Sequence, residues 1–329
     1  MRLRRQIILL GALVAAVPAA FAQSQPPRMP RIGYVQAVVP QNGTSPLLED
    51  FREGLRDLGY VEGRNIQLEV RWAEGKLDRL PALIDELVRM KVDVIVAVNS
   101  PTVWAAKKAT RTIPIVMPLS SDPVGDGLVT SLARPGGNIT GMSMMAPDLA
   151  TKRLQLLKEV FPRQTRPAAV LWNPDYVGMA ARFRQIQGAA PAVGMNVKSV
   201  EIRDSRELEQ ALEGLDRERP DALMLLADPL TLSQRLRIVE FAMEERLPAI
   251  YETSQFVDAG GLMSYGPNID EIVRRSAIYV DKILKGAKPG DLPIEQPSKF
   301  ELVINMKTAR TLGITIPQPV LLQADRVIQ

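Results

Sequence analysis

From Arg31 onward the apolar residues alternate between two spacings. Arg31 to Gln36 reads as a short buried strand. Leu47, Leu48, Phe51, Leu55 and Leu58 then recur at helical intervals, and Gly59 marks the end of that helix. Asn65 to Trp72 alternates like a strand, and Leu77, Leu80, Leu83, Ile84, Leu87 and Val88 form a second helical stripe. Val92 to Val98 is continuously apolar apart from Asp93, the pattern of a strand covered by helices on both faces. A helix from Pro101 and a strand from Ile113 to Met117 complete a parallel, doubly wound α/β unit.

The same order begins again. Ala168 to Trp172 predicts a strand, a helix runs from about Asp175 to Gly194, and Met195 to Ile202 predicts another strand. Leu208, Ala211, Leu212 and Leu215 mark a helix; Asp221 to Leu226 follows as a buried strand, Leu230 to Arg246 as a helix and Pro248 to Tyr251 as a strand. Gly59 corresponds to Gly194, Asp93 to Asp221 and Pro114 to Pro248, each at an offset of about 130 residues, which suggests an architectural repeat. Two such units need connections. Asn138 to Ser143, Gly260 to Gly266 and Lys299 to Asn305 are the three candidate hinge segments. The expected fold class is therefore α/β, with two doubly wound parallel-sheet lobes joined by a three-strand hinge. Residues 31–141 with 266–298 would form the N-terminal lobe, and 142–265 with 299–329 the C-terminal lobe.

Composition narrows the chemistry. The chain has 329 residues, no His and no Cys, which excludes Ser-His-Asp and Cys-His catalysis, disulfides and His- or thiolate-bound metals. A basic start, an apolar run from Ile7 to Val17 and the small-residue box Ala20-Phe21-Ala22 predict a cleavable export signal over residues 1–22. A Pro-rich lead-in over residues 23–30 is expected to be disordered. The formal charge of +4 includes Arg2, Arg4 and Arg5 of that signal, so basicity gives no reason to expect nucleic acid as a partner. No later stretch is apolar enough for stable membrane insertion, so the mature chain is expected in the periplasm. Gly125-Asp126-Gly127 is half of a dinucleotide fingerprint without its third glycine; no Walker sequence or Gly-x-Ser-x-Gly elbow is present, and no cofactor or metal is expected.

Ligands of open parallel sheets gather beyond the carboxyl ends of the strands. Those ends carry Gln36, the loop containing Asn42, the run Asn99-Ser100-Pro101-Thr102, and Ser120-Ser121-Asp122. In the second half they carry Asn173, Asp228 and Tyr251, with Tyr265 at a crossing segment. Small hydroxyl and amide residues with Pro in the first helical turn present free backbone N–H groups, and Asn99-Ser100-Pro101-Thr102 is the best such anion seat. Helix capping by itself accounts for Asn, Ser and Asp at any single tip. The aromatic rings of Tyr34, Trp172, Tyr176, Tyr251 and Tyr265 lie near predicted strand ends or crossings, where they could stack on a flat ligand.

Several longer stretches resemble one family. They are Arg31-Ile32-Gly33-Tyr34, the run from Phe51 to Asn65, Ser121 to Val129, Leu132 to Gly141, Ser264-Tyr265-Gly266 and Ile283 to Pro289. Together they resemble the ABC-transporter substrate-binding proteins that include tryptophan-binding members. The resemblance implies a type I periplasmic-binding-protein fold and a monomeric receptor that delivers a small ligand to ABC permease transmembrane subunits. It implies ligand contacts from Gln36, Asn42, Ser100, Thr102, Ser120, Ser121, Asp122, Asn173, Asp228, Tyr251 and Tyr265. Asn99 stands where members have Gly or Thr. The ligand expected is an aromatic or branched amino acid or related carboxylate, with its carboxylate near Ser100 and Ser121 and its ammonium at Asp122 or Asp228. A periplasmic sensing subunit for a membrane signalling protein, and a carboxylate-based hydrolase or lyase, are the alternative readings.

Overall fold

A computed structural model of the protein describes residues 28–37, 45–144, 149–163, 165–176 and 178–329. The export signal and most of the lead-in lie outside the described residues. The first sheet is built from β1 (Arg31–Gln36), α1 (Pro46–Asp57), β2 (Gln67–Trp72), α2 (Leu80–Arg89), β3 (Val94–Ala97), α3 (Ser100–Ala109), β4 (Ile115–Ser120) and β5 (Ile139–Ser143), in strand order β2-β1-β3-β4-β5, all parallel. Side chains alternate across it. Ile32, Tyr34, Val94 and Val96 pack with α1, whereas Val35, Ile95 and Ala97 pack with α2 and α3.

The second sheet uses α4 (Leu149–Val160), β6 (Ala168–Trp172), α5 (Met179–Ala189), β7 (Val197–Glu201), α6 (Ser205–Glu218), β8 (Leu223–Leu225), α7 (Pro229–Ser233), α8 (Arg235–Glu244), β9 (Ala249–Tyr251), α9 (Ser254–Asp258) and β10 (Met263–Pro267). The chain then returns to the first sheet as α10 (Ile269–Leu284) and comes back as β11 (Phe300–Asn305), α11 (Met306–Leu312), α12 (Gln318–Leu321) and β12 (Arg326–Ile328). Strand order is β12-β11-β10-β9-β8-β6-β7, and β11 runs antiparallel to β10, so this sheet is mixed rather than wholly parallel.

The predicted correspondences have structural counterparts. Asp93 accepts the backbone N–H that opens β1, and Asp221 accepts two backbone N–H groups just before β6. Pro114 O takes the N–H of Ile95 at 2.9 Å, and Pro248 O takes that of Leu223 at 2.8 Å. Lys91 and Arg219, each two residues ahead of those aspartates, are both left-handed at φ 52° and 51°.

The three candidate hinge segments are largely strands. Asn138 to Ser143 becomes β5, which lies against β4 so closely that a Cβ on Gly141 would stand 2.2 Å from Met117 O. Gly266 and Pro267 belong to β10, and Phe300 to Asn305 form β11, so the chain crosses between the sheets just after β5 and β10 and just before β11. The helix expected from Leu230 to Arg246 breaks at Gln234 into α7 and α8, and the one expected from about Asp175 starts only at Met179, after left-handed Gly178.

Helix α10 seats on α1 through Gly54, where an added Cβ would lie 2.1 Å from Arg274 O, with Arg274 also bonded to Asp57 at 2.7 Å. Overpacking of this kind costs about 1–3 kcal/mol. Gly54→Ala is expected to lower the urea unfolding midpoint accordingly; an unchanged midpoint would show that the two helices have room to part.

Candidate functional site

In both sheets strand ends lead into helices whose first turns border a shared cleft, as β3 does into α3, β8 into α7 and β9 into α9. Ser45 opens α1 by accepting from Leu48 N at 3.3 Å, and its hydroxyl donates to Gln36 Oε1 at 3.0 Å. Asn99 opens α3, its Oδ1 accepting from the Thr102 hydroxyl at 2.7 Å. Across the cleft Asp228 opens α7 with a reciprocal capping box to Thr231, and its second oxygen accepts from Asn173 Nδ2 at 2.8 Å. Burial pushes the Asp228 carboxyl up, against the pull of these hydrogen bonds.

A cavity of about 370 Å³ lies between the two sets of tips. Leu47, Val98, Leu119, Met144, Ile269 and Leu232 give it apolar walls; Gln36, Asn99, Ser121, Tyr176, Asp228 and Arg235 supply polar groups. A second space of about 610 Å³ shares Tyr176, Asp228 and Arg235 and opens past Asn173 towards Lys76 and Arg203. Small-molecule sites are commonly of this size and character. Among the described residues no cluster of three or more His, Cys, Asp or Glu side chains could hold a metal ion.

The twelve residues expected to bind ligand divide by position. Gln36, Asn99, Ser121 and Asp228 line the main cavity, Asn173 lines the adjoining one, and Asp122 lines a small space of about 60 Å³ beside Arg182 and Glu252. Ser100, Thr102 and Ser120 are wholly buried behind the tips; Ser100 Oγ accepts from Ser121 N at 3.5 Å. Asn42 lies outside the described residues. The two tyrosines stand elsewhere. Tyr251 is the last residue of β9 and points into the core, stacked on Phe256 at 4.9 Å between ring centroids. Tyr265 lies in the middle of β10 beside Phe300, its carbonyl accepting from Arg153 Nε at 2.6 Å. Tyr176, in the turn before α5, is the aromatic residue that reaches the cavity.

One polar group at the tip of β9 is not among the residues expected to bind ligand. Glu252, fully buried after β9, accepts from Arg153 of α4 at 2.7 Å, from Arg182 of α5, and from Ala227 N at 2.8 Å. Burial works to raise its carboxyl, but Arg182 and Arg153 outweigh burial and hold it below the usual carboxylate range. Arg153, Arg182 and Ala227 lie 99, 70 and 25 positions from Glu252, so no local motif announces the group.

Comparison with known proteins places the chain. The family model for ABC transporter substrate binding proteins matches residues 34–328, and the chain belongs to that family. A tyrosine-binding protein of Clostridioides difficile (strain R20291) is 29% identical over 265 residues, 80% of this chain and 75% of that protein. Among solved structures, a Streptococcus pneumoniae ABC domain in complex with L-Trp superimposes with a TM-score of 0.85 at 26% identity, over 91% of this chain and 99% of that one. The ligand-free, open structure of a Clostridium difficile substrate-binding protein with adhesive properties gives 0.66 at 27% identity, with the same shares covered.

Removing one partner of a buried ion pair costs about 3–5 kcal/mol. Glu252→Gln, which keeps the shape but leaves Arg153 buried beside a neutral amide, is expected to lose that much stability in chemical denaturation at neutral pH. A loss below about 1 kcal/mol, the range of exposed pairs, would contradict the buried role.

Proposed function

We propose that the protein is the periplasmic receptor of an ABC importer, that it captures an aromatic L-amino acid between its two lobes, and that it passes the ligand to membrane permease subunits. The cavity carries this reading: an apolar chamber of about 370 Å³, rimmed by polar strand tips from both sheets, fits a flat apolar side chain with a zwitterionic head. The tyrosine-binding and tryptophan-bound relatives support the same ligand class. The two lobes of this reading are residues 31–143 with 268–298 and 144–267 with 299–329, the expected limits being moved to the ends of β5 and β10. They shut as bodies about the three crossings.

The carboxylate meets the α3 tip at Asn99 and Ser121, where backbone N–H groups and the helix dipole favour an anion. The ammonium meets Asp228, and Tyr176 flanks the apolar part. Closure is favoured only as far as the ligand makes contacts there that it lacks in the open form. The higher likeness to the tryptophan-bound neighbour than to the open, ligand-free one supports a shut arrangement in this structure. No bond is made or broken in the cleft, and the receptor acts as a monomer outside the cytoplasm; among the described residues no helix is long and apolar enough to cross a membrane.

Thermal unfolding in the presence of L-tryptophan, L-tyrosine, L-phenylalanine, L-leucine, benzoate and glucose tests the ligand class. At a hundredfold excess over Kd a true ligand adds about 2.7 kcal/mol of stability. At least one aromatic amino acid is expected to raise the midpoint and glucose to leave it unchanged; no shift with any amino acid would remove the reading.

A further inference from the structure

The segment Gly125-Asp126-Gly127 follows β4 and lacks the third glycine of a dinucleotide fingerprint, yet its aspartate occupies a distinctive place. Asp126 is 8% exposed although it lies in a loop. Its Oδ1 stands 2.6 Å from where a Cβ on Gly178 would be, and Gly178 belongs to the other sheet's unit as the N-cap of α5. Its Oδ2 is shut off from solvent with no hydrogen-bond partner among the described residues. The two flanking glycines make the turn possible: Gly127 is left-handed at φ 69°, and a Cβ on Gly125 would stand 2.2 Å from Asp122 Oδ2.

Gly178 is constrained twice. Its φ of 83° disfavours any side chain, and a side chain would meet the Asp126 carboxyl. The contact lies at the seam, where Asp122 of the same loop lines one small space together with Gly178 and Arg182 of the other sheet's unit. We propose that shutting the cleft buries the Asp126 carboxyl against the backbone at Gly178, so that this pair sets ligand affinity without touching the ligand, and that protonation of Asp126 favours the shut form. The inference rests on the proposed capture of an amino acid by closure.

The groups facing Asp126 decide the sign. From its own loop comes Asp122, a like charge; from α5 comes Arg182, an opposite one; from α3 come the Ser100 hydroxyl and Lys107, whose ammonium is bonded to Gly127 O; Tyr176 faces it from the turn before α5. Burial is the largest influence and pushes the carboxyl up to about 6. A carboxyl whose pKa is higher when shut than when open binds more protons in the shut form. The shut form therefore gains as pH falls through 6 and loses as pH rises above it.

Calorimetric titration of the full mature chain with L-tryptophan and L-tyrosine tests this. For the wild type, affinity is expected to rise about three- to fivefold between pH 7.5 and pH 5.5, a range in which the free amino acids do not titrate. Asp126→Asn is expected to remove that slope. Gly178→Ala is expected to weaken binding at least tenfold, and the double variant Gly178→Ala with Asp126→Gly to recover part of the loss. An Asp126→Asn variant that keeps the wild-type pH slope, or a folded Gly178→Ala variant that binds as the wild type does, overturns the proposal. Absence of binding by the wild type itself overturns the ligand reading and the seam proposal with it, and is thereby distinguished from failure of the variants alone.

Discussion

The structure depends on one geometric constraint: in a parallel βα unit the strand's carboxyl end and the following helix's N-terminus fall on the same edge of the sheet. Two sheets built this way, with those edges turned towards each other, bring unpaired backbone N–H groups from both sides to one seam. The polar residues found there, Ser45, Asn99 and Asp228, each accept a backbone N–H of the helix they open. Capping and ligand binding are thus not rivals at these tips. A cap uses one or two of a helix's four free N–H groups and fixes the direction in which the others point.

A buried ion group stands beside the seam. Glu252, with Arg153 and Arg182, ties α4 and α5 to the end of β9, and Arg153 reaches the β10 carbonyl of Tyr265 as well. A Cβ on Gly266 would lie 1.9 Å from Glu252 O, so the neighbouring strand is in direct backbone contact with the same spot. A buried ion group of this kind adds little net stability over an apolar core but tolerates few alternative arrangements. Its value here is positional, since Ser121 and Asp122 of the first sheet share the small space beside it.

Much of the fold could be read from spacing. Strand β1 ends where its apolar run ends, Gly59 and Gly194 are left-handed where helices stop, and Asp93 and Asp221 play one role in two places. The hinges were harder. Asn138 to Ser143 holds a glycine and polar residues and looks like a linker, but Gly141 serves close strand contact rather than freedom. The site was legible to the level of which tips meet, because strand ends are set by local pattern. It was not legible to the level of which side chains face inward. Tyr251 and Glu252 are adjacent, and the pleat sends the tyrosine to the core and the glutamate to the buried ion group. Arg182 and Asp126 depend on contacts between segments far apart in the chain, for which a single sequence carries no signal.

The central claim is that a guest held at the seam draws two matching lobes together. Small-angle scattering of the mature chain, with and without saturating L-tryptophan or L-tyrosine, measures that directly. The account predicts a smaller radius of gyration and a shorter maximum dimension in the presence of whichever amino acid binds. Superimposable curves under conditions where calorimetry shows saturation would contradict it.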